Sequence, residues 1–409
     1  MTFPTLAPGP GHAGGDGPAL SRRLVALLAV TCAVAVGNLY FPQAIGPLIA
    51  AGLDVPADRA ALIVTATQLG YTAGMVLLVP LGDRFRHRPL LVVLLALSGL
   101  ALLAAGCAPG LPPLAAASAL VGLTTVAAQI ISPLAAGLAA PDRQGEVLGT
   151  LLSGSTAGML LARTFSGTLG EWLGWRAPYL AAAAAALVLA AVMAYAVPPT
   201  TSTAPSARGS YLALLAEPPR LLRAEPELRR SCFYQAAVFG GFSAVWTCLA
   251  LLLTGPVYGF GAEAVGVLAL VGAATMWCTP FAGRLVDRHG PGPVNLVSLL
   301  GVLVAAAVLA AGGLGGRLGL TALAVGSLLL DIALQSGTLA NVSRVYALRP
   351  DARGRLTTAY MTCGYLGGTA GSWLGVHAYT AFGWPAVCVL VALLASAALA
   401  RHLTPRRVP

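Results

Sequence analysis

Twelve stretches of this chain each run for about 20 or more mostly apolar residues, the length an α-helix needs to cross a bilayer. They cover roughly 22–49, 59–81, 89–108, 112–138, 145–170, 175–197, 230–254, 263–285, 293–313, 318–345, 354–380 and 383–402. The connections are short, except over 198–229. Only 9% of the residues are charged and 57% are apolar. A soluble domain carries roughly 25% charged residues, so the outer surface here must face lipid. The first run follows Arg22-Arg23 and outlasts a secretory leader, and it reads as an uncleaved first helix. We expect an all-α membrane protein of 12 transmembrane helices.

Every one of the 24 cations is an arginine, and their placement sets orientation. Connections after even-numbered helices hold Arg84, Arg86, Arg88, Arg143, Arg284, Arg288, Arg344, Arg349, Arg353 and Arg355. The long connection adds Arg208, Arg220, Arg223, Arg229 and Arg230, and the termini add Arg22, Arg23, Arg401, Arg406 and Arg407. Connections after odd helices hold only Arg59, Arg176 and Arg317. Both termini and the long connection are therefore expected in the cytoplasm, the protein lying in the cell membrane. The net charge of +10 comes in short bursts between apolar runs, not in a patch with interleaved aromatics, which argues against a nucleic-acid partner.

The chain repeats itself. Asp83-Arg84 recurs as Asp287-Arg288. Pro141 to Gly145 (PDRQG) aligns with Pro350 to Gly354 (PDARG), Gly158 with Gly367, and Gly174-Trp175 with Gly383-Trp384, all at an offset of 209 (350 − 141). Two similar six-helix halves in the same orientation follow, a transporter plan that puts substrate near the midplane between them. We expect a Gly/Pro-rich tail over 1–20, a six-helix bundle over 21–197, a Pro- and Arg-rich cytoplasmic linker over 198–229, a second bundle over 230–403 and a short tail over 404–409.

On these residues the chain resembles the major facilitator superfamily over 21–403. That family carries a cytoplasmic signature, G-x-x-x-D-R-x-G-R-R, between helices 2 and 3. The second copy matches at Gly283, Asp287, Arg288 and Gly290; the first keeps Asp83, Arg84 and Arg88, with Val79 and Arg86 where glycines are expected. The branch it resembles most is the 12-helix drug:proton antiporter-like group. That branch's helix 5 signature is a glycine series ending in G-P-x-x-G-G. Here Gly145, Gly154 and Gly158 keep the spacing, Met159 replaces the proline, and Ala162-Arg163 replace the last glycines. The resemblance implies the superfamily fold, a small-molecule substrate, protons as driving ions and no cofactor. A monomer is expected.

Asp331 is the one acid clearly inside a span, midway along LLLDIALQSG. A carboxylate there costs about 2.5–3.5 kcal/mol on insertion scales, so it should face the bundle interior or a wet cavity. It is the candidate proton carrier, and Gln335, one turn on, shares its face. Arg163 is the matching cation, in helix 5. Three roles stay open for it: a carboxylate partner, an anionic substrate, or backbone carbonyls. Helix 1 carries a polar, breakable patch at Asn38, Tyr40, Pro42 and Gln43. The resemblance assigns helices 1, 4, 7 and 10 to the cavity, making Asn38, Gln129, Gln235 and Asp331 candidate substrate contacts.

Asp83 falls at the end of helix 2, where the helix dipole disfavours an anion. It should seek the start of helix 11 near Gly354, flanked by Arg353 and Arg355. By symmetry Asp287 should face Arg143 near Gly145. Such contacts would latch the halves on the cytoplasmic side, the role the resemblance implies for the signature.

No Walker loop, HExxH, GxSxG with triad partners, or metal-ligand spacing occurs, so an enzyme and a metal site are not expected. The expected activity is secondary transport by alternating access, with proton-coupled export of a drug-like or metabolite compound preferred. Proton-coupled uptake of a small polar metabolite is the alternative, and a non-transporting membrane sensor the alternative of another class.

Overall fold

The computed structural model describes residues 21–139, 143–197, 211–349 and 353–404. The expected tail over 1–20, the first part of the expected linker, and 405–409 lie outside these residues.

The first apolar stretch is two helices, α1 (Arg22–Tyr40) and α2 (Pro42–Leu53), meeting at Phe41. Pro42 accounts for the break: it has no N–H for the preceding turn and suits the first position of a new helix. α3 (Ala57–Leu77) and α4 (His87–Gly106) follow. The fourth stretch is also interrupted, as α5 (Leu111–Thr124) and α6 (Ala127–Leu138). α7 (Gln144–Leu173) and α8 (Arg176–Ala196) complete the first half. Part of the long connection is a helix, α9 (Tyr211–Ala224).

The second half begins with α10 (Pro226–Thr254). Its next stretch is α11 (Glu263–Val271), a 3-10 turn over Gly272–Ala274, and α12 (Thr275–His289). α13 (Pro291–Ala310), α14 (Gly316–Leu348), α15 (Arg353–Phe382) and α16 (Trp384–Leu403) finish the chain.

The halves pack alike. In the first, α1 lies on α7, α3 on α5, and α4 on α8; in the second, α10 lies on α15, α12 on α14, and α13 on α16. Gly158 and Gly367 show why. A Cβ at Gly158 would enter the backbone of Ala33 on α1, and one at Gly367 would enter the backbone of Ala236 on α10. Small residues let membrane helices approach backbone to backbone, and the repeat preserves that contact in both halves.

Among the described residues, nine helices are long and apolar enough to cross a membrane. α7 and α15, of 30 residues each, span about 45 Å at 1.5 Å per residue but are richer in Gly, Ser and Thr. The peripheral helices turn apolar side chains outward: Leu97 and Leu100 on α4, Val297 and Val304 on α13, Val389 and Leu393 on α16 are exposed. Of these nine, α10 is the most enclosed, buried along most of its length from Leu228 to Leu253.

The halves meet where α3 packs on α15, α7 on α11, and α2 on α10. Gln68 Nε2 donates to Ser243 Oγ at 2.7 Å, and Thr164 Oγ1 donates to the Gly266 carbonyl at 2.8 Å. Glu171, at the end of α7, accepts the Ala262 N–H at 2.9 Å, a carboxylate at the positive end of α11.

Candidate functional site

Arg163 and Asp331, expected separately from the sequence, come together around one side chain, Trp246. α7 carries Arg163 into the middle of the bundle, where it is fully buried. α14 brings Asp331 there from the other half, midway along a 33-residue helix and 5% exposed. α10 supplies Trp246. The guanidinium carbon of Arg163 stands 4.2 Å from the Trp246 ring centroid, 5.1 Å from that of Tyr40 and 5.6 Å from that of Phe242. Cation–π attraction at a desolvated site is worth about 2 kcal/mol or more. On its edge, the Trp246 indole N–H points to Asp331 Oδ1 at a long 3.4 Å.

The two charges therefore attract each other across an indole without touching. Among the described residues the ion pairs lie elsewhere. Arg163 Nε donates to Gln43 Oε1 at 2.9 Å. Gln43 opens α2 just after the Phe41 break, so the broken first helix is what delivers it. Arg163 Nη1, Nη2 and Gln43 Nε2 are buried, with no hydrogen-bond partner among the described residues. The Oδ2 side of Asp331 faces Gly272, where a Cβ would come within 2.6 Å of it.

The other sequence candidates lie apart from this cluster. Gln235 accepts from Tyr360 Oη at 2.6 Å and from Thr338 Oγ1 at 3.1 Å, tying α10 to α15 and α14. It borders a narrow polar crevice with Asn295, Ser298 and Asn341. Gln129 Nε2 donates to Tyr71 Oη at 3.1 Å within the first half. Asn38 is buried in α1, and Gln335 is half-buried one turn after Asp331. Phe242 and Gly272 were not singled out from the sequence. Phe242 lies one turn before Trp246 on α10, the spacing that would have found it.

The signature residues are arranged differently from expectation. α3 ends at Leu77, and Asp83 closes a separate 3-10 turn, Val79–Asp83, because Pro80 cannot continue the α-helical ladder. The side chains of Asp83 and Arg353 lie outside the described residues. Arg355 is held by Glu217 of α9, and Tyr211 Oη of α9 donates to the Leu77 carbonyl at 2.5 Å. The linker helix thus ties the end of α3 to the start of α15. Arg88 donates to the Ala194 carbonyl, and Arg84 is exposed. In the second copy Asp287 and Arg288 are exposed, Gly283 is half-buried, and Gly290 turns the chain into α13 with φ +78°. Arg143 does not meet Asp287; it pairs with Glu146 at 3.2 Å, three residues on along its own helix.

Two similarly packed helical halves with apolar outer faces, meeting around a buried, oppositely charged pair, match the plan of a membrane transporter. The Major Facilitator Superfamily model matches residues 26–372, and the chain belongs to that family. It is 34% identical over 376 residues to the putative uncharacterized transporter YgaY of Escherichia coli K12, covering 92% of this chain and 94% of that one. It is 30% identical over 284 residues to a chloramphenicol resistance protein of Streptomyces lividans, covering 68% and 69%. The crystal structure of the nucleoside transporter NupG superposes with a TM-score of 0.73 at 12% identity, over 93% of this chain and 98% of that one, a likeness of fold.

Proposed function

We propose that this protein is a proton-coupled exporter of a small organic compound, of the drug:proton antiporter-like branch. It works as a monomer in the cell membrane, with both termini and the α9 linker in the cytoplasm. The observation that carries the reading is Asp331, a buried carboxylate halfway along a spanning helix. It faces a cation of the opposite half, and such a group can bind a proton or a substrate but not both. Arginine placement supports the orientation, and the likeness to a chloramphenicol resistance protein supports export. The α9 linker, which ties the end of α3 to the start of α15, acts as the cytoplasmic latch between the halves.

Proteoliposomes enclosing a pH-sensitive dye test this with a panel of compounds. An exported substrate should drive proton movement opposite to its own, and Asp331→Asn should abolish that coupling. Substrate and proton moving the same way would replace export with symport uptake. Unaltered coupling in Asp331→Asn would remove Asp331 from the proton's path.

A further inference from the structure

The proposed proton site leaves part of its surroundings unexplained. Among the described residues, Arg163 Nη1, Nη2 and Gln43 Nε2 are buried donors with no hydrogen-bond acceptor, on two side chains that touch each other. An arginine has no acceptor of its own and cannot shed its charge cheaply. A buried polar group without a partner calls for an explanation, an absent ligand being one. Gln43 Oε1 accepts from Arg163 Nε, which links the two side chains and leaves their other donors unanswered among the described residues. Nothing in this arrangement serves a proton.

The anion nearest at hand does not answer these donors. Among the described residues Asp331 makes one hydrogen bond, the long one to Trp246, and its Oδ2 packs close to Gly272, which has no side chain to bond it. Among the described residues, Arg163 is the charged group that faces Asp331, and Tyr40 is the hydroxyl-bearing neighbour of Arg163. A buried charge left uncompensated costs several kcal/mol, and here two of opposite sign stand apart, on opposite halves, with an indole between them. A substrate that was only an anion would be repelled by ionised Asp331. One that was only a cation would be repelled by Arg163.

We infer that the transported compound is a small zwitterion with a flat apolar body: an oxyanion of the carboxylate class on Arg163 and Gln43, a protonated amine on Asp331, and a ring or similar plane among Tyr40, Phe242 and Trp246. This rests on the reading of Asp331 as the proton's site and deepens it. A proton arriving on Asp331 removes the charge that holds the amine, so proton and amine exclude each other, as exchange requires. The carboxylate anchor on the other half keeps the compound in register while the amine is released.

Three matched probes test the inference on the purified full-length protein by titration calorimetry: phenylalanine, phenylalaninamide and 3-phenylpropanoate. They share one body and carry both charges, only the cation, or only the anion. Phenylalanine should bind at least about tenfold more tightly than either of the others, or about 1.4 kcal/mol. Arg163→Gln should erase its advantage over phenylalaninamide, and Asp331→Asn its advantage over 3-phenylpropanoate. Monodisperse elution and an unshifted melting temperature establish that the variants are folded, and Gln43→Ala, weakening only carboxylate-bearing probes, gives the same answer without touching a charge. Equal binding of all three, or binding of none up to their solubility limits, overturns the inference. So does binding of 3-phenylpropanoate alone, tightening as pH falls, which would point to an oxyanion carried with a proton. Dye-reported proton flux separates the two readings. The binding pattern with flux intact in Asp331→Asn leaves the substrate class standing and sinks the proton role; lost flux with indifferent binding does the reverse.

Discussion

The guanidinium of Arg163 lies 4.2 Å from the ring centroid of Trp246, and these residues belong to different halves of the molecule. The same indole directs its N–H at Asp331. One side chain thus touches both a carboxylate in its own half and a cation in the other.

Trp246→Phe should keep a ring face for Arg163 and lose the bond to Asp331. Transport should survive with an altered dependence on pH. Trp246→Ala removes both contacts and should lower flux by about tenfold or more, the equivalent of 1.4 kcal/mol. Flux in proteoliposomes across a series of pH values checks this.

Gly272→Ala should be tolerated by the fold and not by transport. Its Cβ would fall within 2.6 Å of Asp331 Oδ2, so the carboxylate must move. A transport rate matching that of the unsubstituted protein would mean that the position of Asp331 is not critical.

Gly158→Val and Gly367→Val should each destabilise the protein by roughly 1–3 kcal/mol, the usual cost of overpacking. Each forces a spanning helix away from the backbone it touches. Gly149→Ala, where a Cβ meets open space, should be neutral or slightly stabilising. Thermal unfolding in detergent compares them.

Gln235→Ala leaves the hydroxyls of Tyr360 and Thr338 without their acceptor. A buried donor so stranded costs about 1–3 kcal/mol. The expected result is a lower melting temperature with substrate selectivity unchanged, separating a structural amide from a substrate contact.

The Glu217–Arg355 pair is partly exposed, and such pairs contribute about 1 kcal/mol or less. Glu217→Gln should barely shift the melting temperature while speeding proteolysis within the connection that contains α9. Restoring slow cleavage with the exchanged pair, Glu217→Arg with Arg355→Glu, would tie the effect to this contact.

Hydropathy and the internal repeat made the fold legible, since helix length in a bilayer and the spacing of glycine contacts are both written locally. Asp331 and Arg163 were legible because a charge in an apolar run stands out. Their convergence on Trp246 was not, because nothing local to LLLDIALQSG or GMLLARTF records which helix faces which. The break at Phe41 was visible in Pro42, but its purpose, delivering Gln43 to Arg163, required the third dimension. The expected contact of Arg143 with Asp287 failed for a local reason: Glu146 lies one turn away and is the nearer anion. Glu217 went unnoticed because its stretch read as linker.

The glycine contacts also decide where the molecule can deform. Within each half, α1 on α7 and α10 on α15 touch through backbone at their glycines. Between the halves, α7 and α11 also touch through backbone at Thr164 and Gly266, and other described contacts are made by side chains: an amide on a hydroxyl at Gln68 and Ser243, and edge-to-face rings at Tyr71 and Tyr365. The seam that holds the charged pair thus combines a backbone contact with side-chain contacts that can exchange by bond rotation, and relative motion of the halves would pass through the candidate binding site itself.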